Sequence, residues 1–351
     1  MGFNVNLCYH SGFKMQRIGM PKAWRFLTGI LLAGMALHAQ EATYKVYNKA
    51  FSGLINTKEQ PQLLYDKGRW LEGPQVLANG DVAISDVRAN EALLVQRDGM
   101  HFQVRPWFTP AGPQNGHALD WQGRLLATNY GKGGIERLEK GHWKVLVDRY
   151  NGQKFNSPND LCVDRRGRIY FTDPKFWHNT QEKGGEYVYR YDPATHEIKR
   201  LNTPLLKTPN GIALSLDNQT LYVADSELAH DPKNKELKHQ VLAYTIDNNG
   251  DLQNPRVFAT IQPGFPDGIK VDPHGNLWVS NGHGISVFNP NGKMLGEIIL
   301  PQVVSNLAFS LSPKALQILQ QHQVFAAEDS PPLLFVTSAS NLYVFKLGAD
   351  F

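Results

Sequence analysis

Residues 155–174 read FNSPNDLCVDRRGRIYFTDP, and the reading of this stretch decides the architecture. Asn159 and Asp160 stand before a short apolar-leaning run, Leu161–Val163. A turn, Asp164-Arg165-Arg166-Gly167, follows. A second run, Arg168–Thr172, then carries the β-branched and aromatic residues Ile169, Tyr170 and Phe171, which fit strands. Glycine in such a turn supplies the positive φ of a hairpin connection. Asn210-Gly211 through Asp225 repeats the pattern almost position for position, and Asp267-Gly268 through Ser280 repeats it again.

Three looser copies complete the series. Leu71-Glu72-Gly73-Pro74 leads to Ser85-Asp86, Asn115-Gly116-His117 leads to Ala127-Thr128-Asn129, and Ser305-Asn306-Leu307 leads, after an insertion, to Leu333–Ser338 and Leu342–Leu347. Between Gly73, Gly116, Asp160, Gly211, Gly268 and Leu307 the steps are 43, 44, 51, 57 and 39 residues. Periods of about 40–50 residues with several short strands each are those of propeller blades. The expected fold is therefore all-β, a six-bladed β-propeller with a central channel, which the donors described below make a metal-binding channel. A lead-in strand at Tyr44–Asn48 is expected to complete the last blade, which would leave the ring without free edges.

Composition agrees. The 351-residue chain has 31 glycines, 21 prolines, 11% aromatic and only 19% charged residues, which suits a turn-rich β protein rather than a disordered or coiled-coil one. Lys22 and Arg25 precede the apolar run Phe26–Leu37 and the small residue Ala39, the layout of a signal peptide. The expected organisation is a leader over 1–39 and one propeller domain over 40–351. A start at Met20 would give a compact signal and leave residues 1–19 upstream of it. The leader carries Lys14, Arg17, Lys22 and Arg25 and no acid, so its removal takes the formal charge from +4 to near zero. No basic face then argues for nucleic acid, and no stable membrane association is expected once the leader is cleaved. The expected location is periplasmic or secreted. Of the two cysteines, Cys8 lies in the leader and Cys162 in a strand, as a buried small hydrophobe, so the mature chain has no internal disulfide. Glu227–Lys238 reads as a polar surface loop, and Ser312–Gln321 as a short helix with Ser312 as N-cap and Pro313 at its first position.

The units differ where chemistry would sit. Immediately before the first strand of each unit stand Glu72, Asn115, Asn159, Asn210, Asp267 and Asn306. Equivalent blade ends converge on a channel mouth, so these side chains should face one another. Each alone is an ordinary turn residue, but the coincidence at matching positions makes a ring of oxygen donors without His or Cys. Such donors select hard cations, and Ca²⁺ accepts amide carbonyls and irregular geometry more readily than Mg²⁺. Another divalent cation could occupy the same ring.

Glu72-Gly73-Pro74, Ser157-Pro158-Asn159-Asp160 with Tyr170–Pro174, Pro209-Asn210-Gly211 with Ala224-Asp225-Ser226, Pro266-Asp267-Gly268 with Asn276–Val279, and Val336–Ala339 together carry a family resemblance. The chain resembles the senescence marker protein/gluconolactonase/luciferin-regenerating enzyme-like family of six-bladed calcium-dependent lactonases. Its SPND…YFTDP wording is most similar to the bacterial gluconolactonases. The resemblance implies that Glu72, Asn159, Asn210 and Asp267 are metal ligands, and that the protein opens sugar lactones of the glucono-1,5-lactone type to aldonic acids by attack of activated water. Hydrolysis of another lactone or of an organophosphate ester on the same site, and a non-catalytic binding propeller, remain open beside it. Two departures bear on specificity: Ala127-Thr128-Asn129-Tyr130 stands where many members carry a Cys-Glu-His-like run, and 312–321 is inserted in the sixth unit.

No Gly-x-Ser-x-Gly elbow supplies a nucleophile. The catalytic residues expected, in part from what the resemblance implies, are Asp267, as the general base, and Glu72, mainly as a charge-neutralising ligand. Asn115, His117, Phe176, Trp177 and His283 are the expected substrate contacts at the rim, although aromatics after a strand also serve as packing. Asp173 and Asp225, at strand ends, are expected to orient backbone or the groups behind the ligands rather than bind metal.

Overall fold

The computed structural model describes residues 42–176, 184–311, 331–348 and 351. Six antiparallel sheets form the blades of a propeller. Blade one holds Leu71–Val76, Val82–Asp86, Glu91–Asp98 and His101–Phe108, and blade two runs from Gln114–Leu119 to His142–Val147. Blades three and four begin with Leu161–Val163 and Pro209–Leu214, and blades five and six with Pro266–Val271 and Val304–Ser310. The expected helix at 312–321 lies outside the described residues, as do 1–41.

The ring closes differently from the expectation. Thr43–Val46 does not complete the last blade. It adds to the outer edge of blade five, pairing with Met294–Ile299. Blade six is completed by Gln62–Tyr65, which pairs with Asn341–Lys346. N-terminal and C-terminal chain thus share one sheet, so opening the ring would expose two strand edges at once. Between these strands Lys49–Leu54 forms a short helix, capped by the Asn48 side chain, which accepts from the Ala50 N–H at 3.0 Å; Phe51 and Leu54 are buried beneath it.

Burial follows strand position. The second strands, such as Val82–Asp86, Leu125–Asn129 and Ile169–Asp173, are buried along their whole length, while outer strands such as His101–Phe108 alternate or face water. The core consists of wedges between neighbouring blades. Tyr170 and Val188 of blade three pack on Ile212 and Val223 of blade four, and Trp278 of blade five packs with Leu307 and Val336 of blade six.

Around the channel a second, polar device pins blade to blade. The second strands end in Ser85-Asp86, Thr128-Asn129, Thr172-Asp173, Ala224-Asp225, Ser280-Asn281 and Thr337-Ser338. The hydroxyls reach the next blade's inner strand: Ser85 donates to the Asn115 carbonyl at 2.8 Å, Thr128 to that of Asn159 at 2.8 Å, and Ser280 to that of Ser305 at 2.7 Å. The residue that follows holds loop backbone. Asp86 accepts from the Arg69 and Trp70 amides, Asp173 from Asn156 and Ser157, and Asp225 from Lys207 and Thr208. Asp173 and Asp225 therefore do orient backbone.

Candidate functional site

The inner strands bulge where they begin. Register slips between Gln114 and His117, between Pro209 and Ile212, and between Pro266 and Ile269, so that two residues face one on the partner strand. A bulge of this kind re-aims a side chain and tightens the local twist. Here it turns Asn115, Asn210 and Asp267 toward the channel and puts a glycine directly after each. The glycine is required for space. A Cβ on Gly73 or Gly116 would collide with the Asn115 carbonyl and with Asp160 respectively, because neighbouring inner strands touch there.

Register assigns the sixth position to a different residue from the one expected. The extra residue in blade six is Ser305, between Val304 and Asn306. The Thr337 hydroxyl accepts from the Asn306 amide at 3.1 Å, as Thr128 accepts from Gly116 at 2.9 Å and Thr172 from Asp160 at 3.1 Å. Asn306 thus shares the register of Gly116 and Asp160, one step past the ring. Ser305, in the ring register, spends its hydroxyl on the Leu71 carbonyl at 2.6 Å and on Thr337.

Within the ring Glu72, Asn115, Asn159 and Asn210 are buried, and Asp267 keeps partial exposure. Burial pushes the Glu72 carboxyl well above the carboxylate range, and the charges of Asp267 and Asp160 push it further; the Gly73 amide and the Trp70 indole oppose this. Burial also raises Asp267, to about 7; the Asn210 amide opposes the rise and Asp160 adds to it. Asn210 donates to Asp267, while its own Oδ1 is buried without a partner among the described residues.

Beneath the ring, Asp160 faces across the channel. Its Oδ2 lies 3.4 Å from Asn306 Nδ2 and 3.6 Å from Lys270 Nζ, and its Oδ1 accepts from the Leu161 amide at 2.9 Å. Lys270 therefore offsets the charge of Asp160 and the Asn306 amide hydrogen-bonds it, while among the described residues neither ring carboxylate has an ion-pair partner. Neither Asp160 nor Lys270 is singled out by its sequence context, since Asp160 reads there only as a repeat marker. The readable signal is that Asp160 alone breaks the run of glycines at its register in blades one to five.

Phe176 and His283 lie at the ring end. Phe176 follows Ile169–Asp173, with its ring 5.8 Å from that of His230. His283 occupies the hairpin after Leu277–Asn281, where its amide donates to Asn281 Oδ1. Trp177 lies outside the described residues. At the same end the Arg88 guanidinium stacks over Trp70 at 4.8 Å. His117 is not at the rim. It is 2% exposed, inside the channel wall, with Nδ1 2.7 Å from the Gly73 carbonyl oxygen. Cys162, expected to be a buried small hydrophobe, is half-buried. Both line a cavity of about 260 Å³ where the inner strands finish, at the end opposite the ring.

The donors suit a hard divalent cation. The ring offers two carboxylates, amide oxygens and one orphaned carbonyl oxygen, Asn210 Oδ1. Among the described residues no three His, Cys, Asp or Glu side chains cluster as a metal site, so the amides of Asn159 and Asn210 would have to complete the shell.

The family model described as SMP-30/Gluconolactonase/LRE-like region matches residues 70–318. A gluconolactonase of Zymomonas mobilis is 32% identical over 307 residues, covering 79% of this chain and 83% of that protein. Among solved structures, a protein of Xanthomonas campestris described as a gluconolactonase superposes with a TM-score of 0.72 at 32% identity, covering 87% of this chain and 95% of its own. A regucalcin of Agrobacterium tumefaciens, described as a calcium-binding protein, superposes with a TM-score of 0.59 at 15% identity over 86% of this chain and 96% of its own, a likeness of fold alone.

Proposed function

The chain belongs to the SMP-30/Gluconolactonase/LRE-like family, and from that premise we propose that it is a lactonase whose ring holds a divalent cation, Ca²⁺ in the first instance, and whose substrates are sugar lactones of the glucono-1,5-lactone type. The observation that carries the reading is Asn210. Its nitrogen is engaged by Asp267, and among the described residues its buried Oδ1 has no partner and neither neighbouring carboxylate has an ion-pair partner. A buried carbonyl oxygen left unpaired costs about 1–3 kcal/mol, a penalty that a coordinated cation would relieve.

Glu72, Asn159, Asn210 and Asp267 are the residues that would hold the ion. When bound, it supplies a Lewis acid for the lactone carbonyl. Asp267 is the general base: it takes a proton from the water whose oxygen bonds to the carbonyl carbon. The ring C–O bond then breaks, and the proton passes to the departing alkoxide to give a hydroxy acid. Glu72 balances charge, and its position is held by the Gly73 amide at 3.2 Å and by the Trp70 indole. Phe176 and His283, on the same end, are the proposed substrate contacts.

The test is a panel of sugar lactones, other lactones and organophosphate esters, assayed with and without a chelator. Sugar lactones should turn over fastest, and chelation should abolish turnover and lower the melting temperature until Ca²⁺ is restored. At a hundredfold excess over Kd the ion should add about 2.7 kcal/mol. Full activity and an unchanged melting curve after exhaustive chelation would remove the metal from the reading. The sequence pattern over residues 22–39 further supports export, with a mature N-terminus near Gln40 in the periplasm or outside the cell. Intact mass of the protein from its native host checks this, and retention of residues 1–39 on cytosolic protein refutes it.

A further inference from the structure

Arg88 is an exposed cation on the rim of the ring end, in the turn that follows Val82–Asp86. That turn is pinned to the residue before the first strand of blade one. The Val87 amide donates to the Trp70 carbonyl at 2.9 Å, and Asp86 accepts from the Trp70 amide at 3.1 Å and the Ala89 amide at 3.3 Å. The Arg88 guanidinium lies over the Trp70 ring, 4.8 Å from its centre, and the same indole holds the Glu72 carboxyl. A guanidinium held over an indole face keeps its N–H groups free for another partner. Among the described residues no carboxylate pairs with Arg88, whereas Lys132 at the same end is paired with Glu136 at 2.6 Å. Stack and indole hydrogen bond together put the guanidinium within about 10 Å of the Glu72 carboxyl. A sugar lactone whose carbonyl sits at the ring crosses that gap with the far end of its sugar.

We propose that Arg88 is a specificity-determining residue that binds an anionic group, a carboxylate or a phosphate, on the end of the sugar lactone away from its carbonyl. The proposal rests on the lactonase reading and names the substrate class within it. The guanidinium fork can pair two N–H groups with two oxygens of either anion. A neutral lactone offers it hydroxyls alone.

The test compares matched pairs on the Ca²⁺-loaded protein: 6-phosphoglucono-1,5-lactone with glucono-1,5-lactone, and glucaro-1,4-lactone with glucono-1,4-lactone. In at least one pair kcat/KM should favour the anionic member about tenfold, the low end for a charge-assisted hydrogen bond because the guanidinium is exposed. Salt should erode that preference. Which pair shows it separates phosphate from carboxylate. In Arg88→Leu the preference should vanish, and a ratio taken within one variant is insensitive to any loss of active protein. Arg88→Lys, which keeps the charge without the fork, should retain part of it. Titration calorimetry with 6-phosphogluconate and gluconate gives the phosphate comparison without turnover, and its difference should vanish in Arg88→Leu as well. Neutral lactones turned over as well as anionic ones in both pairs, or a preference that survives Arg88→Leu, overturns the proposal and leaves the lactonase reading standing. No turnover of any lactone overturns that reading and this proposal with it.

Discussion

At the ring end the inner strands of blades two to five start at Asn115, Asn159, Asn210 and Asp267, whereas at the cavity end the same strands finish beside Leu119, Val163, Leu214 and Val271. The strands run parallel around one channel, so each must supply oxygen donors at its start and apolar wall at its finish. The bulge makes this possible, because it resets the side-chain alternation between the two ends. Asp160, Asn306 and Lys270 separate them. The difference teaches that the polar end gathers two carboxylates that burial pushes toward protonation and that have no ion-pair partner among the described residues, while the apolar end carries a neutral nitrogen without a hydrogen-bond partner among the described residues.

The comparison breaks most readily at Asp267. If the ring end is the reacting end, Asp267→Asn keeps an oxygen donor and removes the proton acceptor, and lactone turnover should fall about 10²–10⁴-fold at saturating Ca²⁺. The ion should still bind, more weakly, as read by calorimetry. Near-normal turnover under those conditions would move the base elsewhere, with Glu72 next.

A second test acts on the other end. Burial lowers His117 to about 4, against an ordinary value near 6.5, with the Gly73 carbonyl opposing the shift. The sign follows from which state binds the proton. The unfolded chain protonates below about pH 6.5 while the folded ring stays neutral down to about 4, so stability is full above 6.5 and drains as the pH falls toward 4. The loss should reach about 3 kcal/mol, measured by urea unfolding across that window. His117→Gln, which cannot charge, should flatten the curve, and an equally steep loss in that variant would place the titrating group elsewhere.

The smallest expected effect lies at the partition. Asn306→Ala removes the 3.4 Å contact to Asp160 and the acceptor for the Leu307 amide at 2.9 Å. It should cost about 1–2 kcal/mol and leave cation affinity nearly unchanged, because Asn306 lies one register past the ring. Loss of the ion in this variant would put Asn306 back among the ligands.

Much of this was legible before any coordinates. Repeats spaced by 39–57 residues specify six blades, because each blade is a local antiparallel unit whose turn glycines and β-branched runs recur with it. The oxygen ring was legible for the same reason, since Asn, Asp or Glu before glycine recurs at one position. The Ser/Thr–Asp/Asn pairs that end the second strands recur as plainly, although their partners lie on the neighbouring blade and cannot be read from either blade alone.

The sequence by itself determined the blade count, the hard-donor character of the channel mouth and the backbone-holding part of Asp173 and Asp225, all of which follow from local periodicity and residue chemistry. Tertiary structure decided that Gln62–Tyr65 rather than Tyr44–Asn48 closes blade six, because either strand fits an open sheet edge and only the path of the closed ring selects between them. It also decided that Ser305, not Asn306, holds the sixth register, and that His117 faces away from the rim. Both depend on where a one-residue bulge falls, and with a side-chain period of two, a single step moves a residue from one face to the other.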